Sequence, residues 1–286
     1  MRLKERFTWG EKTHVMGILN VTPDSFSGDG VVLTAAAVEQ ARAFAGAGVD
    51  IIDIGGESTR PGAQAVGVAA EAARVLPIIE AVREALPDTV ISIDSYRAEV
   101  AEAALDAGAD IINDVWGLQA DPDMAPLAAS RGAPVVLMHN RSRPGHAEID
   151  ARLGGQYIPP AYGDLLGEVS GELATLAQSA LDAGIDRDQV ILDPGLGFGK
   201  TVDQNLALIN HLDHFRALGY PLLAGASRKS FIGKVLDVPV DKRVFGTAAT
   251  VALAIIRGAD IVRVHDVAEM LQVARMTDAM LRAPLI

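Results

Sequence analysis

The chain has 286 residues, 49% of them hydrophobic, and sets 25 Lys and Arg against 37 Asp and Glu, for a formal net charge of −12 at pH 7. That balance argues against a general nucleic-acid or anionic-membrane surface, so an anionic ligand would have to be met by a local cluster of cations. There is no cysteine, which excludes disulfides, thiolate catalysis and zinc–thiolate sites. Met1 to Arg6 lacks the apolar core of a signal peptide, and no apolar run reaches about 18 residues, so no membrane span is expected and the cytoplasm is the default location.

In chain order, Phe7 to Lys12 reads as one arm of a short N-terminal hairpin turning at Gly10. His14 to Leu19 is the first buried run and ends on Asn20. A polar loop, Thr22 to Gly30, leads to a helix capped by Thr34. Val49 to Ile54 is the second strand, and the loop from Gly55 to Gly62 precedes a helix near 69–86. Thr89 to Ile93 ends on Asp94, and Asp110 to Ile112 ends on Asn113. Pro134 to Met138 ends on His139, before a long irregular loop over 140–163. Val190-Ile-Leu192 is a short β-branched run between turn signals, which predicts a strand buried on both faces. It ends on Asp193, and Pro194 and the glycines at 195, 197 and 199 follow. Leu222 to Ala224 runs into Ser227-Arg-Lys-Ser230, and Asp260 to Val264 carries Arg263 just before His265. Helices fill the intervals, among them 205–218 and about 244–257.

Gly199-Lys200-Thr201 resembles the end of a phosphate-binding P-loop, but that motif needs glycine five residues before the Gly-Lys pair, where Pro194 stands, so the match fails. A different repeat is informative. Gly48-Val-Asp-Ile-Ile-Asp, Gly108-Ala-Asp-Ile-Ile-Asn and Gly258-Ala-Asp-Ile-Val-Arg each set a glycine and an Asp before an apolar strand. Eight strand–helix units predict an α/β fold, a single-domain (β/α)8 TIM barrel over 1–286, with an open doubly wound sheet as the alternative.

In a barrel the strand ends converge on one mouth, here with Asn20, Asp53, Asp94, Asn113, His139, Asp193, Lys229, Arg263 and His265. Any one acid or amide there is explained by a cap or loop hydrogen bond. Their joint recurrence is not. Asp94, Asn113 and Asp193 offer acceptors suited to a flat heterocycle with adjacent N–H groups. Lys229, Arg263, His265 and Arg60 offer donors suited to phosphate or pyrophosphate. Asn20 could give an amide oxygen to Mg2+, which favours oxygen ligands and substrate phosphates.

The motifs Gly17-Ile-Leu-Asn-Val-Thr-Pro-Asp-Ser-Phe-Ser27, Asp53-Ile-Gly-Gly-Glu-Ser-Thr-Arg-Pro-Gly62, Ser92-Ile-Asp-Ser-Tyr-Arg97, Ile112-Asn-Asp-Val115, Asp193-Pro-Gly-Leu-Gly-Phe-Gly-Lys200, Ser227-Arg-Lys-Ser-Phe-Ile-Gly233 and Arg263-Val-His-Asp-Val267 occur in that order. With them the chain resembles the dihydropteroate synthases along nearly its whole length. The resemblance implies a TIM-barrel transferase of the folate pathway that joins 6-hydroxymethyl-7,8-dihydropterin pyrophosphate to p-aminobenzoate, with Mg2+, usually as a homodimer. By matched position it implies that Asp94, Asn113, Asp193 and Lys229 hold the pterin, and that Lys229, Arg263, His265 and Asp94 serve catalysis. Asn20 would face metal and pyrophosphate, with Arg263 and His265 on the leaving group. Phe26, Thr59, Arg60, Pro61, Phe198 and Ser230 would shape the aminobenzoate pocket. The sequence departs from the family in three places: Ser27-Gly28-Asp29-Gly30 moves the first-loop acid by one position, Asn140 follows His139 where the family has Met, and the 140–163 loop is longer. The alternatives are a methyltetrahydrofolate–corrinoid methyltransferase, which needs neither the Arg-Xaa-His pair nor the Ser-Arg-Lys-Ser loop, and a non-catalytic synthase-like pterin-binding protein.

Overall fold

A computed structural model describes residues 1–21, 30–57, 66–141, 149–150, 156–157 and 161–283. Eight parallel strands form one sheet: β1 (His14–Asn20), β2 (Ile51–Gly55), β3 (Val90–Asp94), β4 (Ile111–Asp114), β5 (Val135–Met138), β6 (Val190–Asp193), β7 (Leu223–Ala224) and β8 (Ile261–Val264). Their order is β6-β5-β4-β3-β2-β1-β8-β7. A parallel bridge between Leu192 and Leu222 joins the two ends and closes the barrel. Helices such as Gly30–Ala47, Val68–Ala85, Leu165–Asp182 and Val267–Leu281 return the chain between strands. The eight-unit expectation holds, and the open sheet does not.

The repeated Gly-Xaa-Asp junction has a physical reason. Asp50 Oδ2 accepts from the Val15 amide at 2.9 Å, Asp110 Oδ2 from the Ile91 amide at 2.9 Å, and Asp260 Oδ2 from the Leu222 amide at 2.9 Å. Each Asp thus fills a sheet hydrogen bond just below its own strand, where an N–H near the start of the neighbouring strand would otherwise lack a partner. The three echoes are register pins between adjacent strands.

Side chains alternate across each strand. One set, including Ile52, Ile54, Ile91, Ile93, Leu192 and Val262, packs outward against the helices. The other set, Met16, Ile51, Val90, Ile111, Val136, Ile191, Leu223 and Ile261, fills the barrel interior as a single apolar layer.

The N-terminus departs from the sequence expectation. Instead of a hairpin, Leu3–Arg6 forms one helical turn, and residues 7–13 pair with no strand. Leu3 and Phe7 lie four residues apart on one side of that turn and join the interior layer. Gln189 clamps the turn, accepting from the Leu3 amide at 2.9 Å and donating to Met1 O at 2.9 Å. A barrel whose lowest layer is apolar needs an apolar cover, and a helical turn brings two such residues over it. Three further differences are small. The helix read as capped by Thr34 begins at Gly30, so Thr34 lies inside it. A helix over Ser230–Leu236 precedes the expected one at Val244–Ile256, and the helix expected over 205–218 divides into Val202–Asn210 and a 3-10 stretch, Leu212–Leu218.

Candidate functional site

The upper interior of the barrel follows from the same alternation. Two residues beyond the apolar layer, the inward positions of β2, β4, β6 and β8 carry Asp53, Asn113, Asp193 and Arg263. Sheet register sets Asp94 beside Asn113, and Asn20 beside Gly55, which itself pairs with Asp94. Four of these groups, Asp53, Asp94, Asn113 and Arg263, bond to one another across the barrel. Arg263 Nε donates to Asp53 Oδ2 at 2.6 Å, and its Nη2 donates to Asp94 Oδ2 at 2.5 Å. Asn113 Nδ2 donates to Asp53 Oδ1 and Oδ2 at 3.3 and 3.2 Å. Asp53 is fully buried, so its charge is stable only because Arg263 and Asn113 surround it.

Burial pushes the Asp94 carboxyl up to about 7; the Arg263 charge opposes this and the nearby Asp53 charge adds to it. Burial works against the Arg263 charge too, but Asp53 and Asp94 more than offset it and raise the guanidinium above its ordinary value. Asp193 is raised by burial, against the pull of its hydrogen bond from Gly195. Three acceptor atoms remain open. Asp94 Oδ1, Asn113 Oδ1 and Asp193 Oδ2 have no hydrogen-bond partner among the described residues. The contact of Asn113 Nδ2 with a carboxylate fixes which way its amide points. A planar ligand presenting several N–H groups fits this set.

The loop after β6 turns tightly. Asp193 Oδ1 accepts from the Gly195 amide at 2.7 Å. Gly195 has φ +72°, and a Cβ there would lie 2.0 Å from the His139 carbonyl oxygen, so only glycine fits. Gly197, at φ +80°, lies against the Lys229 stem, where a Cβ would come within 2.7 Å of Cδ. This close approach brings the Lys229 Nζ to 4.0 Å from the centre of the Phe198 ring.

The segment after β7 is held rigidly. Arg228, in a left-handed conformation at φ +55°, donates through Nε to Asp266 Oδ2 at 2.9 Å. Its amide donates to Thr247 Oγ1 at 3.1 Å, and its carbonyl accepts from Arg243 Nη1 at 2.9 Å. Ser227 Oγ accepts from the His265 amide at 3.1 Å and lies 3.1 Å from His265 Nδ1, which orients the imidazole.

Of the residues singled out in the sequence, Asp94, Asn113 and Arg263 meet in one bonded group around Asp53, Asp193 shares the inward layer and is held by the Gly195 amide, and Lys229 and Phe198 meet in ring contact. Asn20 ends β1, His265 follows β8, and Ser230 is exposed at the start of its helix. Phe26, Asp29, Thr59, Arg60 and Pro61 lie outside the described residues, as does most of the 140–163 loop. Two residues gain weight. Asp53 had been one strand-end acid among several, yet it is the bonded centre of the group; the signal was a carboxylate inside Ile51-Ile52-Asp53-Ile54. Lys200 had appeared only as a failed P-loop match, and it is almost fully buried. Among the described residues no group of three or more His, Asp or Glu could hold a metal ion by itself, and no helix is long and apolar enough to cross a membrane.

The family model described as "Pterin binding enzyme" matches residues 16–265. The dihydropteroate synthase of Bacillus subtilis is 48% identical over 275 residues, covering 96% of this chain and 90% of the relative. A crystal structure of Clostridium difficile dihydropteroate synthase in the presence of pteroic acid superposes with a TM-score of 0.88 at 44% identity, covering 96% of this chain and 99% of that one. The Xanthomonas albilineans dihydropteroate synthase with 4-aminobenzoic acid gives a TM-score of 0.86 at 41% identity, covering 96% and 94%.

Proposed function

Because the chain belongs to the dihydropteroate synthase family of pterin-binding enzymes, we propose that its barrel mouth joins 6-hydroxymethyl-7,8-dihydropterin pyrophosphate to p-aminobenzoate, releasing pyrophosphate and dihydropteroate. The observation that carries the reading is the set of three open acceptors, Asp94 Oδ1, Asn113 Oδ1 and Asp193 Oδ2, above a floor neutralised by Arg263. Pterin N–H groups satisfy those acceptors, and a carboxylate takes two parallel N–H bonds. Lys229, beside the Phe198 ring, borders the pterin.

The reaction breaks the bond from the pterin methylene carbon to the pyrophosphate oxygen, and the electron pair leaves with pyrophosphate. The aryl amine then attacks that carbon and gives up one proton. The electron-rich reduced ring spreads positive charge, so cleavage runs ahead of attack, and Asp94 and Asp193 hold the cation. His265, oriented by Ser227, and Arg263 stabilise the leaving group. Arg263 Nη1 has no partner among the described residues, so it is available to an anion while Nε and Nη2 hold the floor. Mg2+ fits a site with one amide oxygen, Asn20, and no cage of acids among the described residues, since it is commonly bound through one or two protein groups plus substrate phosphates. When bound it would supply charge neutralisation to the leaving pyrophosphate.

Thr59, Arg60 and Pro61, with Phe26, Phe198 and Ser230, shape the aminobenzoate pocket, with Asp29 in the first-loop role. The chain acts as a single domain in the cytoplasm, as a homodimer. Phe245, Ile256, Met276 and Met280, on the adjoining helices Val244–Ile256 and Val267–Leu281, are more than half exposed, which suits a face covered by a second copy. A coupled assay of pyrophosphate release, with and without aminobenzoate, tests the activity. Aminobenzoate is expected to bind well only when pterin, pyrophosphate and Mg2+ are present; equal affinity for the free enzyme would mean a preformed pocket and would end the ordered scheme.

A further inference from the structure

We propose that Lys200 is a positioning residue for the pterin, acting through the loop after β6 without touching the substrate. The proposal rests on the reading of Asp193 and Lys229 as pterin ligands. Lys200 is 9% exposed. Its Nζ donates to Gly195 O at 2.9 Å and to Phe198 O at 3.0 Å, and lies 3.2 Å from His139 Nδ1. An ammonium has three N–H donors, and these three acceptors occupy them all.

That geometry dictates the state of His139. Glu172, held below its ordinary value against burial by Arg141 and His139, is a carboxylate that can only accept. The imidazole proton therefore sits on Nε2, which donates to Glu172 Oε2 at 3.0 Å, and Nδ1 is left to accept from Lys200, whose ammonium burial lowers to about 7. Burial, with the positive charges of Lys200 and Arg141, holds His139 at about 4, against the opposing Glu172 charge, so it is the neutral form that fits between a cation and an anion. Glu172 is anchored by Arg141 Nε at 2.9 Å. An unbroken chain of donors and acceptors therefore runs from inside the loop to the helix Leu165–Asp182.

What Lys200 gathers is the segment that aims both proposed pterin ligands. The residue at one end, Gly195, donates its amide to Asp193 Oδ1, and the residue at the other, Phe198, has its ring against Lys229 Nζ. The backbone adds one bond between them, from the Phe198 amide to Gly195 O at 3.2 Å, and Asn205 holds Gly197 through its amide at 2.6 Å. Lys200 alone among the described side chains binds the carbonyls at both ends. Without it the Phe198 oxygen would lose its side-chain donor and the buried Gly195 oxygen would keep only the Phe198 amide, so the turn would loosen toward solvent.

Lys200→Met keeps the unbranched stem and removes the donors. The expected result is a rise in KM for the pterin pyrophosphate of about tenfold or more, with a much smaller change in kcat. His139→Leu removes the acceptor and should act in the same direction, whereas His139→Asn returns an oxygen near the Nδ1 position and should recover most of the affinity. A structural role alone would lower the melting temperature without splitting KM from kcat, and would not separate Asn from Leu. Unchanged pterin KM in Lys200→Met overturns the proposal, as does an equal KM rise in the two His139 variants. If Lys200→Met does not fold, the His139 pair decides. Asp193→Asn, measured beside them, separates the two readings. If it weakens pterin binding and Lys200→Met does not, only the positioning role falls. If it leaves pterin binding intact, the pterin site itself is wrong.

Discussion

In the lower layer of the barrel, Met16, Ile51, Val90, Ile111, Val136, Ile191, Leu223 and Ile261 meet one another and the N-terminal cover of Leu3 and Phe7. Two residues further along four of those strands, the inward positions are Asp53, Asn113, Asp193 and Arg263. The lower layer is held by contact with no direction, and each side chain there can shift without losing a partner outright. The upper layer is held by directed bonds in which each group answers a specific neighbour, and several atoms are left over for a ligand. The lower layer thus supplies stability to the scaffold, while the upper one is a polar network whose cost is met only while it is complete.

The largest expected effect comes from breaking that network at its cation. Arg263→Met leaves Asp53 and Asp94 as two buried carboxylates without their shared partner, and should lower stability by about 3–5 kcal/mol. Urea unfolding at pH 8 measures it; a loss below about 1 kcal/mol would mean that the two acids do not depend on the guanidinium. In the lower layer, Leu3→Ala removes the plug and should cost about 2–5 kcal/mol of stability with no change in pterin affinity. Any matching loss of affinity would show that the two layers are coupled. Asp193→Asn replaces an acceptor oxygen by a donor facing the ligand, and should weaken a pterin analogue by about 1–3 kcal/mol or more in calorimetry. An unchanged affinity would remove Asp193 from the site.

The last effect is in pH dependence, and of the two layers only the upper one should show it. Asp94 is raised from 3.8 to about 7, so between those values the folded chain keeps a proton that the unfolded chain has lost. Its contribution to stability is therefore full below 3.8 and is lost as pH rises through 7. Asp94→Asn should flatten the melting-temperature profile across that window. Parallel profiles would mean that Asp94 is ionised throughout. Pterin affinity should move the other way, rising as Asp94 ionises and becomes a full acceptor.

Much of this was legible in the sequence because strand interiors announce themselves. Short β-branched runs ending on polar residues gave the strands, and Gly48, Gly108 and Gly258 with their following Asp gave the junctions. The N-terminal turn was not legible, since four residues are too few to display a helical period, and its reason lies in a layer assembled from eight distant strands. Asp53 and Lys200 were visible as residues but not as functions. The role of Asp53 depends on which strands face each other across the barrel, and that of Lys200 on an imidazole brought in from the end of β5. Neither relation has a spacing along the chain.

The barrel closes between β6 and β7 through one bridge, Leu192 to Leu222, with the Leu192 amide donating to Pro221 O at 2.9 Å. Asp193 stands immediately on one side of that seam, and Lys229 follows the strand on the other. A pterin gripped by both would work as a stitch across the thinnest join in the wall. Amide exchange at Leu192 and Leu223 should then slow on ligand binding by more than exchange within β2 or β3, and the substrate becomes a component of the cylinder that contains it.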